Sequence, residues 1–593
     1  MPCGERLQGI FVVLLWKCSR IMEELNANNS TQYGWGANMN IKRYAGRGRT
    51  AQSEPSGSSQ NSGPSRLSAE LSESLAGIQS ELGHSPDLKI RQVQLDGLRR
   101  IRAAAVHLSG LADTSAVNEF VVGSLLAVST DGLIIDCAES GGEHGRLLDM
   151  ILSRALEIGE AEIKEDWKEI MLAVLSGDTA ILLDGYSAAI LCATKGGEWR
   201  SISEPSSQMV VRGPKDGFVE SVATNISLIR RRIKSPKLRL EYMKIGSETQ
   251  TLVALMYVED FAGEDLLREV RERLNKIALD EVLESGYIEE LIQDKTFTPF
   301  PTIYNTERPD VAAGNLLEGR VVIIVDGTPF VLILPAVFTQ FFQSAEDYSQ
   351  RFDIAILMRI VRYSSFIVLI LGPAIYIALT TYHYEMIPTT LLVSLLAQRE
   401  NVPFPVFVEA LLMEIAFEIL REAGVRMPRV IGQTVSVVGA LILGQAVVEA
   451  GIIAPIMVIV VALTGIASFA IPAYNMAIAG RLIRFAFLLL AGMFGFYGVT
   501  LGLIVMVAHM NSLRSFGIPY LSPFVPLSVK GQKDTILRMP LWLMSPRKSP
   551  QQMRAELPEF MRMTTGNEEA LAPPIRESNS VKNYGTGDQP DED

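Results

Sequence analysis

Glu409, Glu414 and Glu418 lie in one short stretch, PFPVFVEALLMEIAFEILR at 403–421, whose other residues are almost all apolar. A carboxylate in an apolar environment is costly unless it faces water, a cation or a partner group. On a helix Glu414 and Glu418 are four apart and share a side, with Arg421 on the same side seven beyond Glu414. Glu409 is turned about 140° from Glu414. Like charges at this spacing oppose a bare helix, so a cation, Arg421 or partial protonation must compensate. One reading is a cation path or conformational switch. The other is an amphipathic interface helix whose acids meet headgroup water or arginines of a neighbouring subunit.

The elements around this stretch read as a membrane domain. Apolar runs occur at 363–381, 430–448, 452–474 and 485–508. At about 1.5 Å per residue each is long enough to cross a hydrocarbon core about 30 Å thick. Glu449, Ala450 and Gly451 alone join the second run to the third, which makes a tight helical hairpin. Residues 386–398 are too short to span. Five spans satisfy the loop arginines (Arg421, Arg426, Arg429, Arg481, Arg484) but send the basic C-terminal tail to the opposite side. A re-entrant 386–421 is one resolution, so the count stays at 4–6 membrane helices. Gly498 and Gly502 have the spacing that lets helix backbones approach closely, and a gating hinge is the alternative reading.

Upstream of the membrane runs, composition is that of a soluble α/β region. GDTAILLDGYSAAILCAT (177–194) and GRVVIIVDGTPFVLILP (319–335) each place Asp-Gly between β-rich runs, a strong hairpin signal. Asp326, Gly327 and Pro329 argue against a membrane helix at 321–342. A strand and a helix precede each hairpin: 103–110 with 114–126 (Thr114 or Ser115 as N-cap), and 251–260 with 263–277. The repeated order predicts two related α/β (α+β) subdomains. The expected organisation is an N-terminal disordered tail (1–80), subdomains at 81–200 and 201–352, a transmembrane domain (353–515) and a C-terminal tail (516–593), largely disordered after 545. GIFVVLLW (9–16) is too short to span and lacks a clear cleavage site, and Met22 offers an alternative start.

Other chemistry is sparse. The net charge of −12 argues against general nucleic-acid binding. Four cysteines, none in a CxxC pair, indicate neither a zinc site nor a disulfide framework. No Walker A, HExxH or GxSxG motif is present, so no enzyme, cofactor or metal is expected. Arg230, Arg231, Arg232 and Lys234 form a basic cluster suited to anionic headgroups or a neighbour's acids, or to a solvated helix face. VRGPKDGF (211–218) reads as a turn-rich loop.

Several phrases together resemble one family, the A subunits of nutrient germinant receptors in endospore-forming bacteria. They are SPDL (85–88), GDTAILLDG (177–185), VRGPKDGF (211–218), LIRRRIK (228–234), VDGTPFVLILP (325–335), FFQSAEDY (341–348), QRENVPFPVFVEALLMEIAFEILREAGVRMP (398–428), IGQTVSVVGALILGQAVVEAGI (431–452) and SLRSFGIPYLSPF (512–524). The resemblance covers about 80–530. Gln208 departs from it, since the family often has an acidic residue there. The resemblance implies a multipass subunit of the spore inner membrane, with its soluble region on the core side, acting in signal transduction during germination. It implies a transporter-like B subunit and a lipoprotein C subunit as partners, and a homo-oligomer that opens as a ligand-gated channel for monovalent cations. Glu409, Glu414 and Glu418 would then line or gate the ion path. A non-conducting scaffold that assembles the other subunits is the alternative, and a secondary transporter the third reading.

Overall fold

In the computed structural model the described residues are 66–95, 101–126, 148–149, 151–152, 158–196, 204–205, 207–426, 444–527 and 531–541. The expectations for residues 1–65, for most of the run at 430–448 and for the tail after 541 lie outside them, as does most of a further helix that the sequence suggests at 145–158.

Two sheets of the same design follow one another. In the first unit, α1 (Leu71–Glu81) leads into β1 (Leu88–Leu95) and β2 (Ile101–Leu108). A helical turn (Thr114–Ala116) then continues as π-helical turns (Val117–Gly123). Next come β3 (Ala161–Lys164), α2 (Trp167–Ser176), β4 (Thr179–Leu183) and β5 (Ala189–Cys192). The second unit has α3 (Val222–Arg232), β6 (Leu238–Ile245), β7 (Thr251–Val258), α4 (Glu264–Asn275), α5 (Ser285–Ile292), β8 (Tyr304–Thr306), α6 (Pro309–Leu317), β9 (Val321–Val325) and β10 (Val331–Leu334). The strand orders are β1-β2-β4-β5-β3 and β6-β7-β9-β10-β8, antiparallel throughout. Ala105 lies opposite Ile181 in one sheet, and Leu255 opposite Ile323 in the other.

The Asp-Gly pairs do more than turn the chain. Asp184 accepts from the backbone N–H of Leu71, the first residue of α1, at 3.1 Å, while Gly185 N–H donates to the Ala69 carbonyl. Asp326 accepts from Val222 N–H at the start of α3 at 3.0 Å, and Gly327 N–H donates to the Glu220 carbonyl. Each hairpin tip thus satisfies donors that a helix start leaves unpaired. Positive φ at Gly185 (86°) and Gly327 (90°) suits glycine at both turns. The helix at 114 is capped by Asp113, not by Thr114 or Ser115. Its carboxylate accepts from Ser115 and Ala116 N–H, because it sits one residue earlier, where a side chain can reach back over the first turn.

The second sheet merges into the helical part. Ala254, Met256, Ile324 and Val331 share one buried cluster with Phe338, Phe366, Leu369 and Met476. The helices here are α7 (Phe352–Thr381), α8 (Thr389–Arg399), α9 (Val406–Arg426), α10 (Pro455–Phe469) and α11 (Tyr474–Ser512). Among the described residues, α7 and α11 are long and apolar enough to cross a membrane.

The last predicted span, 485–508, is corrected by α11. At Gly495 the backbone leaves helical geometry (φ 58°, ψ −141°) and the chain doubles back. Gly480 packs on Phe366 and Leu369 while Gly495 meets Tyr382, so the first half climbs beside α7. Beyond the break, Gly498 abuts the Leu490 carbonyl, and a Cβ at Gly502 would lie 2.8 Å from Leu490 and 2.9 Å from Phe487. The second half therefore descends along the first. Gly498 and Gly502 serve this close approach, and the break lies at Gly495. The Tyr382 hydroxyl donates to the Gly492 and Met493 carbonyls (2.7 and 3.1 Å), which the break deprives of helical partners. Tyr382→Phe should lower stability by about 1 kcal/mol, read as a drop in the thermal midpoint of the detergent-solubilised protein.

The reversal returns the chain to the sheets. Ser515 Oγ accepts from Ala336 N–H at 3.0 Å and donates to the Thr302 carbonyl at 2.6 Å. Phe338 N–H donates to the Tyr520 carbonyl. Farther on, Asp534 pairs at 2.9 Å with Arg359, fully buried near the root of α7, which also forms an ion pair with Asp347 and donates to the Thr535 carbonyl. Residues 513–527 and 531–538 thus pack back toward the sheets and the root of α7.

Candidate functional site

The acidic stretch folds as α9, which begins just after Pro403 and Pro405. Its three carboxylates separate into two sites. Glu409 is fully buried. It accepts from Arg399 of α8 at 2.8 Å and from the backbone N–H of Ala454, which precedes α10, at 3.1 Å. It closes an ion pair and caps a helix start at once.

Glu414 and Glu418 face α11. The Glu414 carboxylate is 2.7 Å from the Arg484 guanidinium, and both side chains are essentially without solvent contact. Glu418, one turn on, pairs with Arg481 and lies 3.8 Å from Arg484. Arg421 points elsewhere: it donates to Ser468 Oγ at 2.7 Å, with the Phe417 and Phe469 rings 5.1 and 5.0 Å from its guanidinium. Helical phase places Glu414, Glu418 and Arg421 on one side, but packing against two different helices divides them. Small residues allow the close fit: a Cβ at Gly465 or Gly492 would run into the rings of Phe417 or Phe407.

Sequence reasoning missed the compensating cations, because Arg481 and Arg484 were counted as loop charges. The usable signal was their spacing. In antiparallel helices, arginines three apart can meet glutamates four apart in reverse order. The site is a largely desolvated set of opposite charges on α8, α9 and α11, with the Ala454 N–H and the Ser468 hydroxyl added from the ends of α10. It holds the helices in one register, and any rearrangement must exchange or expose charge.

The basic cluster lies on α3 and turns mostly inward. Arg230 is buried and pairs with Asp87 of the first unit, with Nη2 donating to Asp87 Oδ1 at 3.0 Å and to Ser85 Oγ at 2.9 Å. Arg231 donates to the Gly196 carbonyl at 3.2 Å. Arg232 pairs with Asp216 of the 211–218 loop, at 2.6 Å to Oδ1. Lys234 is exposed. Arg230 and Arg231 thus tie the second unit to the first.

Gln208 accepts from Thr306 Oγ1 at 2.6 Å, and its carbonyl accepts from buried Arg308, which also holds the Pro214 carbonyl at 2.9 Å. In the same region Asn305 donates to Glu289 at 3.4 Å. Burial, with Glu284 adding to it, pushes the Glu289 carboxyl up to about 7. With the native value raised, the folded state holds this proton after the unfolded state has lost it, so stability falls as pH rises from about 4.5 to about 7. Glu289→Gln should remove that contribution, at most about 1.4 kcal/mol per pH unit, measured by thermal unfolding across the interval.

Among the described residues, no group of three or more His, Cys, Asp or Glu is placed to hold a metal ion.

A family model described as Bacillus/Clostridium GerA spore germination protein matches residues 76–550. Over 479 residues the chain is 52% identical to Spore germination protein KA of Bacillus subtilis (strain 168), covering 81% of this chain and 86% of that relative. It is 42% identical over 442 residues to the uncharacterized membrane protein YfkQ of the same strain, with 74% and 84% covered. Among solved structures, the N-terminal domain of the A subunit of the Bacillus megaterium spore germinant receptor GerK3 is 38% identical. That match covers 46% of this chain and 98% of the other, with a TM-score of 0.36.

Proposed function

The chain belongs to the Bacillus/Clostridium GerA spore germination protein family, and we propose that it is a multipass A subunit that transduces germinant binding through its buried row of charge. The observation that carries this reading is the pairing of Glu414 with Arg484 and of Glu418 with Arg481 between two helices of an apolar bundle. Both pairs link α9 to the half of α11 that rises beside α7, so a sliding or rotation of either helix separates them. The outward faces support insertion in a bilayer: Ile367, Ile459, Ile466, Leu489 and Ile504 are all at least half exposed.

In this reading the sheets lie on the spore-core side of the inner membrane and the transporter-like B and lipoprotein C subunits assemble with the chain. Copies of the chain surround a path for monovalent cations, and the acids and arginines act as its gate. With the pairs closed, Glu409, Glu414 and Glu418 are all engaged within one chain. Conduction then requires the pairs to part and present carboxylates to the ion. The same internal pairing favours a second reading, a non-conducting scaffold that passes a conformational signal from membrane helices to sheets. The chain is not an enzyme in either reading.

Ion flux from vesicles holding the assembled receptor separates the two. Glu418→Gln, at the partly exposed end of the row, should alter cation conductance or selectivity severalfold, with Glu414→Gln having the larger effect. Unchanged conductance in both removes these carboxylates from the path. No conductance from the intact wild-type assembly supports the scaffold.

A further inference from the structure

The loop before β8 carries the most exposed large apolar side chain among the described residues. Phe297 is 94% exposed. Its neighbours are held in place: Thr298 Oγ1 lies 2.9 Å from His509 Nε2, Phe300 N–H donates to Thr298 Oγ1, and the Phe300 ring lies 6.2 Å from the His509 ring. The aromatic side chain is therefore presented to solvent from a braced loop, two residues from Lys295.

His509 marks a boundary on α11. Leu501, Ile504, Val505, Val507 and Ala508 face outward before it, while Asn511 and Ser512 are the exposed residues after it. A helix crossing a bilayer leaves the apolar layer where its outward face changes from apolar to polar. Phe297 is fixed beside that level. An aromatic ring with a nearby lysine is the pairing suited to the interface, the ring among acyl chains and headgroups and the ammonium reaching lipid phosphate.

We propose that the loop at 295–300 contacts lipid and fastens the second sheet unit to the membrane face, with Phe297 entering the headgroup boundary and Lys295 meeting lipid phosphate. This rests on the membrane reading above. Three features favour lipid as the occupant. The ring is 94% exposed, its neighbours Thr298 and Phe300 sit against His509 at the apolar-to-polar change of α11, and the adjacent Lys295 is complementary to an anionic surface.

The test uses the full chain alone, reconstituted in vesicles of phosphatidylcholine and phosphatidylglycerol that carry lipids brominated at shallow or deep acyl positions. Phe297→Trp and, separately, Ile504→Trp each report fluorescence quenching over the wild-type background. The added Phe297→Trp signal should be quenched by at least about a third by shallow bromines, more than by deep ones, and should resist aqueous iodide. Quenching of Phe297→Trp by iodide and not by bromine, with Ile504→Trp quenched by bromine, overturns the proposal while the membrane reading stands. Quenching of neither by bromine overturns both. A ring covered by another protein would give the first of these negative results, because no other chain is present.

Discussion

Glu414→Leu should destabilise the helical part by about 3–5 kcal/mol, while Arg484→Met should cost distinctly less. The asymmetry follows from what each change leaves behind. Removing Glu414 strands a guanidinium with 1% side-chain exposure, and arginine cannot shed its charge in a protein. Glu418 lies 3.8 Å from Arg484 but is already engaged by Arg481, so it compensates only in part. Removing Arg484 instead leaves a carboxyl group that can bind a proton and become neutral. The double variant Glu414→Leu/Arg484→Met should recover most of the loss, because no charge remains to be desolvated. Thermal unfolding of the detergent-solubilised protein gives the order of the three variants. Equal single-variant losses, or a double variant as poor as Glu414→Leu, would remove buried charge as the cause.

Asp87→Leu is the second large effect, again about 3–5 kcal/mol. Asp87 and Arg230 have side-chain exposures of 3% and 1%, and two guanidinium nitrogens bind one carboxylate, so little water can replace the lost partner. Here the consequence extends between units. Asp87 immediately precedes β1 and Arg230 stands in the last turn of α3, so the pair joins the two sheets. In the full chain, hydrogen exchange should quicken in α3 and around β1 and remain near wild type in α10. Arg230→Met alone should show the same pattern, and a double-mutant cycle should give a coupling of at least about 1 kcal/mol. A uniform rise in exchange throughout the chain would mean that the pair stabilises the whole fold and does not specifically join the units.

Much of the fold was legible locally. The Asp-Gly pairs at 184–185 and 326–327 fall in the hairpins between β4 and β5 and between β9 and β10. The strand and helix expected at 251–260 and 263–277 are β7 and α4. These signals need only a few neighbouring residues, because backbone preference and side-chain period act over one or two turns. The capping of α1 and α3 by the same aspartates was not legible, since each bond joins residues more than a hundred positions apart.

The site divides along the same line. By itself the sequence determined that three glutamates in an apolar helix need compensation, and that Glu409 cannot share the face of Glu414 and Glu418. Both follow from the energy of a buried charge and the pitch of one helix. Only the tertiary structure decided which cations answer them: Arg399 for Glu409, and Arg481 and Arg484 for the other two. It also decided where the last apolar run turns. Gly492, Gly495, Gly498 and Gly502 offer similar local freedom in the sequence, but positive φ appears at Gly495 alone, where Tyr382 meets the turn. The need for a partner belongs to a segment, whereas the partner's identity depends on how distant helices pack.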